Sequence, residues 1–267
     1  MMVYVNLAEN WKNRIKGGSM EKLAKSFVGQ FRGWSKFEKF LGMLAILGSI
    51  ALTLLWGDTL FGLSVTLTGI LGVILVNKRS QWNYLWGTYN VIGYAYLAWT
   101  YGLGGDFMLN ALYFLPMQFV GYKMWSKNIE SGATVKAKDF GLNGYINLIL
   151  FSATAIFLYG VALQNYIAPA LNSLNLPVTF PIYESVGLYF FDSMSTVLSV
   201  IAMWLMVKRY AAQWFLWLLI NVASIAMWSI VLVQDPSNTN AIAMLIMWSI
   251  YLLNSAAGFI NWRKAIN

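Results

Sequence analysis

The sequence predicts an all-α integral membrane protein of about eight transmembrane helices. Two parallel three-helix repeats are joined by one linker helix (3+1+3), and one extra N-terminal helix precedes them. Three observations predict this. Hydrophobic residues make up 59% of the 267 and charged residues only 10%, where a soluble domain carries about 25% charged. Eight apolar segments can be marked, at 38–56, 59–77, 82–102, 107–125, 143–165, 185–207, 213–233 and 241–262. Each is long enough to cross a hydrocarbon core about 30 Å thick, which takes about 20 residues. The basic residues fall only on alternate connections.

That charge pattern sets the count. Residues 1–39 hold eight Lys and Arg, the loop at 78–79 two, the connection 123–142 four, the loop at 208–209 two and the C-terminus two, which accounts for all 18. The other connections carry Asp58, Asp106, Glu184 and Asp235, with Asp192 a turn or two inside a span. Eight spans place every basic residue on the cytoplasmic side, with both termini there. A seven-span reading, with 38–56 lying in or re-entering the interface, sends the eight N-terminal charges to the other side. The pI near 9.5 therefore reads as membrane topology, not as a nucleic-acid footprint.

The elements follow in order. Residues 1–39 form a basic cytoplasmic segment. Within it Leu23, Phe27, Phe31 and Trp34 recur at steps of 4, 4 and 3, the mark of an amphipathic helix on an anionic inner leaflet; a partly disordered lead-in is the plainer alternative. Its apolar run begins too late, and lacks the cleavage site, for a signal peptide. Residues 40–57 are the extra helix, 58–126 the first repeat, 127–170 the linker loop and linker helix, and 171–267 the second repeat.

The repeat is legible at Lys78-Arg79 and Lys208-Arg209, 130 residues apart. Before them, 64-SVTLTGILGVILVNKR-79 matches 194-MSTVLSVIAMWLMVKR-209 without gaps. After them, Trp86-x-x-x-Asn90 matches Trp217-x-x-x-Asn221, with one residue inserted in the second copy. Further on, Gln118-x-x-Gly121-x-x-x-Trp125 resembles Asn254-x-x-x-Gly258-x-x-x-Trp262. Three spans reverse the chain's side, so a second copy in the same orientation needs the joining helix. Parallel repeats of this kind are a transporter plan, with the substrate site at the repeat interface.

Polar and aromatic residues at membrane depth are costly unless partnered, so they mark the site. Trp86 and Asn90 share one helix face, and Trp214, Trp217 and Asn221 share another. Asn110, Tyr113, Phe114, Met117 and Gln118 form a broad face around Pro116, which frees a backbone carbonyl. Asn254 stands for Gln118 in the second copy. Trp11, Trp56, Trp125 and Trp262 read as interfacial belt residues. The amides have a plainer reading too, as interhelical hydrogen-bond glue.

Several chemistries are excluded. The chain has no Cys and no His, hence no disulfide, thiol nucleophile or His-based triad, and no cofactor or metal is called for. It has no Walker A motif and no nucleophile–base pair, which favours transport over catalysis. No Lys or Arg lies mid-span to hold a phosphate. Aromatics and amides without fixed charge suit a flat ring and a hydroxyl-rich part. Acidic residues outside favour a cationic solute.

The stretches 82-WNYLWGTYNVIGYAYLAW-99, 110-NALYFLPMQFVGYKMW-125 and 213-QWFLWLLINVASIAMW-228 resemble the PnuC vitamin transporters, which carry nicotinamide riboside. The resemblance covers most of residues 40–262 and leaves 1–39 outside. It implies a three-plus-one-plus-three arrangement like that of the SWEET sugar transporters. It also implies facilitated diffusion of nicotinamide riboside across a bacterial inner membrane, with trapping by a cytoplasmic kinase. Relatives carry thiamine or riboflavin, and these stay open as substrates, as does a homo-oligomer. On this reading Trp86, Trp214 and Trp217 contact the ring. Asn90, Gln118, Asn221 and Asn254 hold hydroxyls or the carboxamide, Tyr113 and Phe114 close the pocket, and Pro116 and Gly121 are gating points.

Overall fold

The computed structural model describes residues 25, 27–56, 59–100, 104–129, 134–173 and 186–266. Trp11, Leu23, Asp58, Glu184 and the side chains of Trp56 and Asp192, singled out above, lie outside the described residues. The chain divides into two units, Met1–Lys39 and Phe40–Asn267. In the first, the Phe27 and Phe31 rings lie 6.1 Å apart and those of Phe31 and Trp34 lie 6.4 Å apart. Ser35 and Glu38 form a capping box, Ser35 N–H donating to Glu38 Oε2 at 2.7 Å and Glu38 N–H to Ser35 Oγ at 3.2 Å. It starts α1 (Lys36–Trp56).

In the second unit, helices stand at each remaining apolar segment. They are α2 (Leu60–Asn77), α3 (Asn83–Thr100), α4 (Gly104–Met108) and α5 (Leu115–Ser126), the last two joined by a π-helical stretch, Leu109–Phe114. Next comes α6 (Gly141–Ala162), continued by a π-helical Leu163–Ile167 and α7 (Ala168–Ser173). Then follow α8 (Val186–Val207), α9 (Gln213–Gln234) and α10 (Thr239–Lys264). Thr59 caps α2 by accepting from Gly62 N–H at 3.0 Å, and Asn238 caps α10 by accepting from Ala241 N–H at 3.0 Å.

Among the described residues, four helices are long and apolar enough to cross a bilayer: Leu60–Asn77, Gly141–Ile167, Gln213–Gln234 and Met244–Lys264. Ser193–Val207 is a shorter apolar helix. Only 22% of the window in Gly141–Ile167 is buried. Leu142, Phe151 and Phe157 on it are exposed, as apolar side chains facing lipid would be.

Packing pairs the helices reciprocally. α2 lies against α3 and α10, and α9 against α8 and α10. α8 also lies against α5 and α6. α2 thus packs on α10, and α8 on α5.

The two basic turns share one geometry. Arg79 (φ 57) and Arg209 (φ 67) are both left-handed. Arg79 N–H bonds Val76 O and Ser80 N–H bonds Leu75 O, each at 2.9 Å. Arg209 N–H bonds Met206 O and Tyr210 N–H bonds Leu205 O, again at 2.9 Å. Both are Schellman motifs with Arg where Gly is usual, at a cost of about 1 kcal/mol each. The connection after α5 ties the turns together. Val135 N–H bonds Arg79 O at 2.9 Å, and Lys138 N–H bonds Arg209 O at 2.8 Å.

Two expectations change here. The inserted residue expected after the second turn is not where the turns end. Asn83, Tyr84 and Leu85 repeat the backbone bonds of Gln213, Trp214 and Phe215, so the 130-residue offset runs into α3 and α9. Trp125 and Trp262 are not belt residues: both are 0% exposed. Their indole N–H groups find late carbonyls of α8 and α2, which no helical N–H satisfies in the ordinary way.

Candidate functional site

Two layers can be built from the residues upward, a packed one beside the basic turns and a polar one deeper in the helices. The packed layer is a row of four rings. Tyr84 and Trp125 are 5.2 Å apart, Trp125 and Trp262 5.9 Å, and Trp262 and Trp214 6.2 Å. Trp125 Nε1 donates to Met206 O at 3.0 Å and Trp262 Nε1 to Val76 O at 3.0 Å. Gly121 and Gly258 make room for the outer rings. A Cβ on Gly121 would lie 2.3 Å from the Tyr84 ring, and one on Gly258 would lie 2.6 Å from the Trp214 ring. Gly121, read from the sequence as a gating point, is a seat for a ring in this structure. Trp214, read as a contact for the solute ring, is 2% exposed within this layer.

The polar layer begins at the π-helical stretch. Leu115 N–H bonds Asn110 O, the i to i−5 pattern. Pro116 follows at once, in the first turn of α5. It has no N–H to give to the helix behind it, which favours the wider turn there. The turn directs Tyr113 across to α8, where its hydroxyl donates to Val200 O at 2.7 Å. The Phe114 ring lies 5.7 Å from that of Tyr113. Both rings and Trp217 border the core that holds the aromatic row.

The amides divide by what they bond. Gln118 is buried and sits over Gly87, where a Cβ would lie 2.6 Å from its Oε1. Asn90 Nδ2 donates to Val65 O at 2.8 Å. A Cβ on Gly69 would meet Asn90 Nδ2 at 2.6 Å and the Tyr251 hydroxyl at 3.1 Å, so these three groups converge. Asn221 Nδ2 donates to Ser255 Oγ at 2.9 Å. Asn254 is different: it donates to Val73 O at 3.2 Å and accepts from Asn77 Nδ2 at 3.4 Å. Asn261 Nδ2 in turn donates to Asn77 Oδ1 at 2.9 Å. Asn254 therefore ties α10 to α2. Ser255, three before Gly258, takes the place that Gln118 holds three before Gly121. The sequence match pointed one residue off because it allowed a gap.

Trp86, Asn90 and Tyr94 follow at i, i+4 and i+8 on α3. Tyr94 hydroxyl donates to Asp106 Oδ2 at 3.3 Å, and Asn110 Nδ2 donates to Asp106 O at 2.8 Å. Tyr94, Tyr251 and Ser255 were not singled out in the sequence. The first two are the next steps of stripes starting at Asn90 and Asn254, a signal that the spacing carries. No group of three or more metal-ligating side chains occurs among the described residues. The arrangement suits recognition of a flat ring with hydroxyls by stacking and by amide bonds.

Comparison with known proteins gives a family and several relatives. The family described as nicotinamide mononucleotide transporter matches residues 59–264. A nicotinamide riboside transporter PnuC of Neisseria mucosa is 32% identical, over 94% of this chain and 90% of that relative. One of Haemophilus influenzae is 32% identical, over 92% of this chain and 96% of the relative. The crystal structure of the vitamin B3 transporter PnuC matches with a TM-score of 0.72 at 29% identity, covering 93% of this chain and 98% of that one.

Proposed function

The chain belongs to the nicotinamide mononucleotide transporter family, together with PnuC transporters, and on that premise we propose that it carries nicotinamide riboside across a bacterial inner membrane by facilitated diffusion. A separate cytoplasmic kinase traps the product. The observation that carries this reading is the polar layer itself. Gln118 over Gly87, Asn90 beside Tyr251, and Asn221 on Ser255 each stand four residues, one helical turn, after an aromatic residue: Phe114, Trp86 and Trp217.

In this reading Trp86 and Trp217 stack on the pyridine ring. Asn90, Gln118 and Asn221 take ribose hydroxyls and the carboxamide, and Tyr113 and Phe114 close the pocket. Trp214 and Asn254 support it from one layer behind. The eight helical segments are spans, with both termini cytoplasmic. α2 to α5 and α8 to α10 are parallel repeats joined by α6, with α1 outside them. The matched Arg79 and Arg209 turns and the paired indole bonds support the repeat. Pro116 and its π-helical stretch form the gating element.

Calorimetry on the detergent-purified protein tests the substrate, with riboside, thiamine and riboflavin run side by side. Saturable heat with the riboside alone is expected. Thiamine or riboflavin binding instead would overturn the substrate. Riboside flux into sealed vesicles should plateau with concentration; a linear rise would mean a channel.

A further inference from the structure

Arg209 is 5% exposed although it sits in a basic turn. Its Nε–H has no hydrogen-bond partner among the described residues. Tyr84 shares a core cluster with Met206, Val207 and Ala211, which flank Arg209 in the chain, and among the described residues the groups that act on Arg209 electrostatically are the Tyr84 and Tyr210 phenols, with no carboxylate. Burial, the largest influence, holds its pKa below the usual guanidinium value. Tyr84 lies on α3. It is 2% exposed, and its hydroxyl is also without a partner among the described residues. Its ring is fixed against Gly121 and Trp125.

The equivalent Arg79 makes a useful contrast. That residue is partly exposed, and its guanidinium donates to Val135 O at 3.2 Å. Topology asks for a cation on this face, but a solvated one satisfies it. Burying a cation costs several kcal/mol unless an anion or acceptors meet it. Arg209 also holds a left-handed backbone that Gly would adopt more cheaply. Next along the chain, Gln213 is 0% exposed with both amide atoms unpartnered.

We propose that Arg209 and Tyr84 form an oxyanion site beside the four-ring row, at the end of the helices that carries the basic turns, and that it takes a phosphate group. A guanidinium N–H and a phenol O–H both donate, so the ligand must accept. A guanidinium with no carboxylate beside it among the described residues selects an anion, and its geometry favours phosphate over a spherical ion. The phosphate is either free in solution or carried on a nucleotide. The site lies apart from the mid-helix amides and stands whichever ring those amides take.

The full chain in detergent is titrated calorimetrically with inorganic phosphate, with nicotinamide mononucleotide and with chloride. Saturable binding of phosphate or nucleotide is expected, weakened about tenfold in Arg209→Gln and severalfold in Tyr84→Phe. Arg79→Gln should retain it, because that guanidinium already has an acceptor. Nucleotide that displaces phosphate identifies the nucleotide as the source; phosphate binding alone identifies the free anion. No saturable binding of either, or binding that Arg209→Gln and Tyr84→Phe leave within about twofold, overturns the site. If Arg209→Gln does not fold, Tyr84→Phe decides, since it keeps the ring on Gly121.

Discussion

The indole of Trp125 donates to the carbonyl of Met206 at 3.0 Å, joining α5 to α8. Trp262 makes the same bond to Val76, also at 3.0 Å. Each carbonyl also accepts the backbone N–H of its left-handed arginine at 2.9 Å. The same bond made twice joins α5 to α8 and α10 to α2, beside the turns that the connection after α5 ties together.

Trp125→Phe and Trp262→Phe should each cost about 1 kcal/mol, the net worth of one hydrogen bond, because the carbonyl keeps its backbone donor. The alanine variants should cost about 3–5 kcal/mol through the lost ring. Thermal unfolding in detergent separates them. Equal losses for Phe and Ala would mean that the indole bond, and not the ring, carries the contact.

Gly121→Ala and Gly258→Ala should destabilise by about 1–3 kcal/mol, since rigid rings stand 2.3 and 2.6 Å from the new methyl. Gly48→Ala is the control. Its nearest neighbour is 3.9 Å away, and the better helix former should add about 0.5–1 kcal/mol. An unchanged melting temperature in both ring-facing variants would mean that the rings move freely.

Gln118→Ala and Asn254→Ala should part company. Gln118→Ala should weaken riboside binding about tenfold with little change in melting temperature. Asn254→Ala breaks the tie between α10 and α2 and should cost about 1–2 kcal/mol of stability, with affinity within about twofold. Calorimetric Kd and thermal unfolding are measured on the same preparations. The reverse pattern would exchange their assignments.

Pro116→Ala supplies the missing N–H and lets residues 109–114 return to α-helical bonding. Riboside exchange in vesicles should slow about tenfold while Kd moves less, as expected for a gating element. An unchanged exchange rate would remove Pro116 from the gate.

Much of this molecule can be read locally. Hydropathy and charge are properties of short windows, so the long helices and their order are visible in the chain. The doubling is visible too, because Lys78-Arg79 and Lys208-Arg209 recur at one offset. The π-helical turn before Pro116 is less so: proline predicts a disturbance, but the backbone chooses its form.

The fate of each polar side chain was decided by the tertiary structure. Asn90 and Asn254 look alike in sequence, yet one converges with Tyr251 beside Gly69 and the other spends both ends of its amide on α2. Trp125 and Trp262 look like belt residues in sequence, yet late carbonyls of α8 and α2 draw them into the core. A hydrogen bond between helices depends on which carbonyl lies within about 3 Å. That distance belongs to the packing of helices far apart in the chain, and no local window contains it.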